Sequence, residues 1–75
     1  MNYQEAREIV SYYAADLITF FSDHWGRFPV GDNADYVIAQ LGEKQSMHES
    51  RGGDFSEKAA DKINSLRSYL ISIQS

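Results

Sequence analysis

The residues that could carry acid–base or metal chemistry are few and widely spaced. The chain has two histidines, His24 and His48, and no cysteine, which excludes a thiolate nucleophile, a disulfide and a cysteine zinc site. Asp23 and His24 could pair with His48 or Asp32 as a metal or acid–base group, but no third ligand stands at a recognisable spacing. A histidine at a helix end more often caps a carbonyl or packs at a rim. We therefore predict no catalytic residue, no metal site and no cofactor.

The run from Gly31 to Asp35, GDNAD, places several oxygen ligands close together. It lacks the central glycine and the distal glutamate of a calcium-binding loop. Asp32 as a helix N-cap, with Asp35 in the first turn, explains the same residues without an ion. No serine nucleophile elbow and no glycine-rich phosphate loop occurs in the sequence, so we expect a protein that is not an enzyme.

One segment resembles the first helix and turn of phage-repressor-type DNA-binding domains. It is IAQLGEKQSM, residues 38–47, with Gly42 at the turn position. Those motifs place a small residue four positions before the glycine, where this chain has Ile38 and has its alanine one residue later. The recognition helix would be 45–51, with Arg51 as its partner for phosphate or guanine. The resemblance implies a transcription regulator, which we keep as an alternative. The net charge of −4, from eleven acidic and seven basic residues, argues against direct nucleic-acid binding.

The longest periodic stretch runs from Tyr3 to Trp25 and predicts one long helix. Apolar residues recur at steps of three and four, and a second row widens the apolar face to about half of the circumference. Asn2 is suited to cap the start of this helix and Gly26 to end it. An apolar face this wide needs cover from two other helices or from a second chain. The first row comprises Tyr3, Ala6, Val10, Tyr13, Leu17, Phe20 and His24, and the second Ala14, Ile18, Phe21 and Trp25.

The opposite face of this helix is acidic and carries one aromatic residue. No lysine or arginine lies within it, although solvated helices usually mix both charges because like charges four apart destabilise a helix. We predict that this face and Trp25 bind a basic surface on a larger partner protein, with Tyr12 as an anchor and the carboxylates steering association. The residues of the face are Glu5, Glu8, Tyr12, Asp16 and Asp23.

The rest of the chain predicts two more helices and a loop. The loop has one apolar side chain, Met47, and contains the pair Gly52-Gly53, so we expect it to be flexible. The sequence as a whole predicts a single all-α domain over 1–75, three helices in the order long–short–long, with the first and third antiparallel. The expected elements are helix 1 at about 2–25, helix 2 at about 33–44, the loop at about 45–54 and helix 3 at about 55–74.

A chain of 75 residues has a small core, and without cysteine the usual compensation is oligomerisation. We predict a homodimer that uses apolar residues of helices 1 and 3. Whether these two helices pair within one chain or between chains is left open. The predicted interface residues are Val10, Tyr13, Leu17, Phe20, Leu66, Leu70 and Ile71.

Composition also bounds location and function. No apolar run is long enough to span a membrane and no signal peptide is recognised, so we expect a cytoplasmic location. Stand-alone proteins of this size and composition are frequent among bacteriophage and mobile-element products that inhibit host machinery, anti-CRISPR proteins included. By this analogy of class, we predict a protein that docks on a larger partner and inhibits or modulates it. A structural subunit of a larger helical assembly is a further alternative.

Overall fold

The computed structural model describes residues 1–21 and 26–74 of the chain. The described residues form helices and connections and contain no strand, so the predicted all-α fold class is confirmed. The elements are α1 at Tyr3–Tyr13, a 3₁₀ helix at Ala15–Phe20, α2 at Gly31–Arg51 and α3 at Asp54–Gln74. The predicted long–short–long order is wrong, because α1 has 11 residues whereas α2 and α3 have 21 each.

The start of α1 is the one that the sequence predicts. Asn2 Oδ1 accepts a hydrogen bond from the backbone N–H of Glu5 at 2.8 Å, and Asn2 Nδ2 donates to Glu5 Oε1 at 3.0 Å. The first bond satisfies one of the N–H groups that a helix leaves without an internal partner at its N-terminus. The second holds the Glu5 carboxylate beside the positive end of the helix dipole. The predicted N-cap at Asn2 is therefore confirmed.

The predicted continuous helix over 2–25 is wrong, because the chain reverses direction at Ala14. Ala14 has φ −148° and ψ 51°, and the 3₁₀ helix that follows runs back beside α1. As a result the Phe21 ring centroid lies 6.2 Å from that of Tyr3, whereas a straight helix would separate these two residues by about 27 Å. The physical reason is the wide apolar face: once folded back, the two halves cover each other, which so small a domain could not otherwise achieve.

α2 and α3 form an antiparallel hairpin connected by Gly52 and Gly53. Both glycines have positive φ, 72° and 92°, a region that residues with a side chain rarely adopt, so this short connection requires glycine. α2 continues through residues 45–51, so the predicted helix end near 44 and the predicted flexible loop at 45–54 are both wrong. The reason is that α3 covers this segment of α2, and His48 is buried against it.

The N-terminus of α2 differs in detail from the prediction. The cap position is occupied by Val30, in extended conformation and without a side-chain hydrogen bond, so the prediction of Asp32 as N-cap is wrong. Asp32 lies instead in the first turn, where its carboxylate interacts favourably with the helix dipole. Gly31 begins the helix with φ 61°, which explains a glycine at this position.

Gly42 lies inside α2 for a packing reason. A Cβ atom at this position would lie 3.1 Å from Arg67 Nε, so the absence of a side chain lets Arg67 of α3 cross α2 closely. That buried Nε has no hydrogen-bond partner among the described residues. A glycine in a helix interior costs about 1 kcal/mol relative to alanine, but a side chain at this position would require Arg67 to shift.

α1 runs antiparallel to α3, which confirms that part of the predicted architecture. At one end Tyr3 contacts Phe28, which in turn contacts Tyr69, with ring centroids 5.4 and 5.1 Å apart. At the other end Tyr13 contacts Phe55, with centroids 5.8 Å apart. The core between the helices and the 3₁₀ helix contains Ala6, Val10, Ala14, Leu17, Phe21, Val37, Leu41, Ile63, Leu66 and Leu70.

Most of the predicted dimer-interface residues lie in this core. In the folded chain they are covered by their own helices, and their predicted role in an interface with a second copy stays a prediction. Tyr13 and Phe20 are half-buried, and Ile71 is 45% exposed, so these three retain surface. The four residues that are completely or almost completely buried are Val10, Leu17, Leu66 and Leu70.

A candidate protein-binding surface

Three exposed or half-exposed rings meet where the C-terminal end of α1 approaches the N-terminal end of α3. Tyr12 and Tyr13 are edge-on, with centroids 4.7 Å apart, and Phe55 lies 6.3 and 5.8 Å from them. We call Tyr12, Tyr13 and Phe55 the aromatic cluster. Tyr12 is 71% exposed and Phe55 54% exposed. Aromatic residues are enriched at the anchoring positions of protein interfaces, so a cluster this exposed is a candidate binding surface.

An open cleft of about 270 Å³ adjoins the aromatic cluster between α1 and α3. We call it the acidic cleft. The α1 residues share one side of the helix because they are separated by steps of three and four. Two carboxylates therefore stand beside tyrosine rings, and such a site suits a lysine or arginine side chain, whose charge the carboxylates bind and whose stem the rings cover. The cleft is lined by Glu5, Glu8, Ile9, Tyr12, Tyr13 and Lys62.

The structure brings together three of the six residues predicted to bind a partner. Glu5, Glu8 and Tyr12 line the acidic cleft together, as the helical spacing predicts. Asp23 and Trp25 lie outside the described residues, so their predicted role stays a prediction.

Asp16 departs from the predicted acidic face. It lies beyond the reversal at Ala14, and its Oδ1 is 3.0 Å from Lys44 Nζ of α2. The predicted continuation of Glu8 and Tyr12 into Asp16 is therefore wrong. Asp16 is largely exposed, and an ion pair of this kind contributes about 0–1 kcal/mol to stability.

Basic residues from other helices also lie near the acidic face. Lys62 of α3 forms part of the wall of the acidic cleft, and Lys44 of α2 neutralises Asp16. Neither lysine could be assigned to this face from the sequence, because both come from other helices. In the cleft, two carboxylates still face one ammonium group, so its net charge is negative.

A buried histidine connects α2 to α3 beneath the aromatic cluster. His48 is 6% exposed, and its Nδ1 shares a hydrogen bond of 3.2 Å with Oγ of the buried Ser56. The His48 ring is also edge-on to Phe55, with centroids 6.0 Å apart. These contacts fix the first turn of α3 and with it the position of Phe55. The sequence carried one signal for this role: His48 follows Leu41 by seven residues, on the face that α2 buries.

Replacing Ser56 by alanine is expected to lower the free energy of unfolding by about 1–3 kcal/mol, because the buried His48 Nδ1 would lose its partner. Urea unfolding followed by circular dichroism measures this. Ser72→Ala is the matched control: its hydroxyl donates to the Tyr69 carbonyl at 2.7 Å on the exposed side of α3, so a change within about 0.5 kcal/mol is expected. Equal losses in the two variants would contradict the assigned role of Ser56.

A larger cavity of about 650 Å³ lies at the opposite end of the molecule, beside the N-terminal end of α2. None of its described lining residues is a carboxylate, so the match of aromatic rings with negative charge is specific to the acidic cleft among these two cavities. The lining flanks residues 22–25, which lie outside the described part of the chain together with the predicted candidates His24 and Trp25. The lining residues are Thr19, Phe20, Arg27, Phe28, Pro29, Val30 and Asn33.

The other candidates for chemistry have structural roles where the structure describes them. Within residues 1–21 and 26–74, no group of three or more His, Cys, Asp or Glu side chains could hold a metal ion. The GDNAD run forms the first turns of α2, and His48 is engaged with Ser56. The segment that resembles a helix–turn–helix contains no turn, because α2 passes through Gly42 without interruption and Arg51 is its last residue. This part of the chain is therefore not a helix–turn–helix.

The helices of the chain and its similarity to known proteins give no further indication of function. No described helix combines the length and the apolar character needed to cross a lipid bilayer. Neither a protein-family model nor a curated protein nor a solved structure matches this chain. Its function is therefore inferred from the geometry of its own surface.

Proposed function

We propose that this protein is a binding protein without chemistry of its own, which docks through the aromatic cluster and the acidic cleft on a basic surface of a larger protein. The observation that supports the proposal is the exposure of Tyr12 and Phe55 next to the carboxylates of Glu5 and Glu8. Complete burial of a large apolar side chain is worth about 1.5–3 kcal/mol, and a domain with so small a core leaves much of that unused at these two rings. A partner that covers the rings would recover it.

The chemistry of the acidic cleft indicates what the partner presents. Carboxylates bind guanidinium and ammonium groups through charge-assisted hydrogen bonds, and tyrosine faces attract the same cations. The net charge of −4 adds a long-range attraction to a positive surface. The partner is therefore a protein surface rich in arginine and lysine, such as a groove that binds nucleic acid.

Occupying such a groove would inhibit or modulate the partner, because the inhibitor and the nucleic acid would compete for the same cations. Small proteins with this mode of action occur among bacteriophage and mobile-element products, including anti-CRISPR proteins. We place this chain in that class by analogy of size, charge and surface. The interruption-free α2 gives no support to the alternative of a transcription regulator built on residues 38–51.

Removing the two charges of the cleft is expected to slow association with the partner. Glu5→Gln combined with Glu8→Gln should lower the association rate constant on the order of tenfold at low salt and reduce its dependence on ionic strength, because steering charges act mainly on association. Surface plasmon resonance against the partner captured from the native host, at several salt concentrations, measures both quantities.

The matched control removes two charges elsewhere. Asp35→Asn combined with Glu43→Gln changes the net charge equally on exposed positions of α2, outside the acidic cleft. This control is expected to retain most of the association rate. If both double variants slow association to the same extent, net charge rather than the cleft determines binding, and the proposed site is wrong.

A further inference from the structure

The reversal between α1 and the 3₁₀ helix has no local cause in the sequence. It takes place at Ala14 and Ala15, and alanine has the highest helix propensity of all residues. No glycine, proline or asparagine lies between Tyr3 and Phe21, and the other turn-favouring residues, Ser11 and Asp16, lie beside the reversal and not at it. The apolar rows also continue across the reversal at unbroken steps of three and four. The local sequence therefore favours a straight helix at the point where the folded chain bends.

Contacts between distant parts of the chain hold the bend in place. Arg7 Nε of α1 donates a hydrogen bond of 2.8 Å to the carbonyl oxygen of Phe21, and Asp16 pairs with Lys44 of α2. Leu17 and Phe21 are buried in the common core. The 3₁₀ helix itself is six residues long, whereas such helices rarely exceed three or four residues because their hydrogen-bond geometry is poorer than that of an α-helix. The bend is thus a product of packing.

We propose that the protein forms a dimer in which two copies of the chain exchange their α1 helices, with Ala14–Ala15 as the hinge. In this dimer residues 3–21 form one straight helix in each copy. α1 of each copy then lies where α1 of the other copy lies in the monomer. This inference concerns self-association and is independent of the proposed partner-binding function.

In such a dimer the exchanged α1 fits the other copy because the two chains are identical. Each contact that α1 makes in the monomer is made again between the copies. Arg7 donates to the partner's Phe21, and Val10 enters the core of the other copy. The new hydrogen bonds are confined to residues 15–21, where the 3₁₀ helix becomes α-helical and the N–H groups of Ala15 and Asp16 gain the carbonyls of Ser11 and Tyr12 as acceptors. This arrangement needs no further apolar surface, and it makes core residues such as Val10 intermolecular.

Ala15→Pro separates the bent from the straight form. In the monomer, residue 15 is the first of the 3₁₀ helix, where an N–H has no helical acceptor and proline is tolerated, and the preceding Ala14 is not in helical conformation. In the straight helix the same proline removes a hydrogen bond and clashes with the preceding turn. The dimer fraction is therefore expected to fall by more than about tenfold, while the monomer keeps its circular dichroism spectrum. Ala15→Ser is the matched control and is expected to retain the dimer.

The measurement is light scattering behind a sizing column, on protein refolded from denaturant at high micromolar concentration. The exchange is supported if the wild type and Ala15→Ser form a dimer and Ala15→Pro does not. Slow dissociation on dilution also supports it, because release requires the hinge to open. A wild type that stays monomeric after refolding would overturn it. A dimer that persists in Ala15→Pro would also overturn the exchange. So would a dimer that is lost in Ile71→Asp, because that result would indicate a dimer formed through the exposed surface of α3.

Discussion

Leu17→Ala is expected to lower the free energy of unfolding by about 2–5 kcal/mol. Leu17 is 1% exposed and packs in the core that α1, α2 and α3 share. Its truncation removes buried apolar surface and leaves a cavity at the point where the 3₁₀ helix is held against the core. Small domains have total stabilities of about 5–15 kcal/mol, so the variant loses a large part of its stability. Urea unfolding monitored by circular dichroism measures the loss.

Ile71→Ala provides the control for this prediction. Ile71 loses a similar volume on truncation but is 45% exposed on α3, so a loss of less than about 1 kcal/mol is expected. A Leu17→Ala protein as stable as the Ile71→Ala protein would show that residues 15–20 do not pack in the core as described.

Tyr12→Ala is expected to weaken binding to the partner by about 2 kcal/mol or more, roughly thirtyfold in Kd. Tyr12 is the most exposed ring of the aromatic cluster and also lines the acidic cleft, so its truncation removes both the anchor and one wall. Because short-range contacts act after encounter, the change should appear mainly as faster dissociation. Dissociation kinetics on the captured partner, measured beside the unfolding free energy, separate lost binding from lost folding.

The matched control for Tyr12 is Tyr36→Ala. Tyr36 is also more than half exposed, but it lies on α2 against Phe20, away from the acidic cleft. Its removal is expected to leave both rate constants within about twofold. Equal effects of the two tyrosines would contradict a localised binding surface.

Helical periodicity was sufficient to predict the fold class and the antiparallel course of α1 and α3, and the residue type was sufficient to predict the cap at Asn2. It could not predict the reversal at Ala14, because a helical pattern shows which residues share a face and not whether that face folds back on itself. The apolar rows of helix 1 are the same in a straight and in a bent segment. Whether the bend forms is decided by Leu17 and Phe21 in a core built from three other elements.

The sequence did not predict the C-terminal half of α2, for a related reason. Residues 45–51 contain few apolar side chains, and Gly42 precedes them, which is typical of a helix end. The structure shows instead that the glycine makes room for Arg67 and that the buried residue of this segment is the polar His48. Both features depend on α3, so neither could be read from the local sequence.

The sequence predicted the residues of the candidate surface that lie on α1, but not those that lie on α3. The spacing of Glu5, Glu8 and Tyr12 places them on one side of a helix, and the structure does the same. Phe55 is exposed and contacts Tyr12, because α1 and α3 are antiparallel and the start of α3 therefore lies beside the end of α1. Lys62 enters the cleft by the same packing.

A quantitative affinity pull-down from a lysate of the native host, read by mass spectrometry, tests whether the aromatic cluster binds a host protein. Three baits are compared: the wild type, Tyr12→Ala combined with Phe55→Ala, and Tyr36→Ala as the control. We expect one host protein with a basic surface, enriched equally by the wild type and by Tyr36→Ala and lost from the double variant, with all three baits folded by circular dichroism. If the double variant retains that same protein at the wild-type level, the aromatic cluster is not the binding surface.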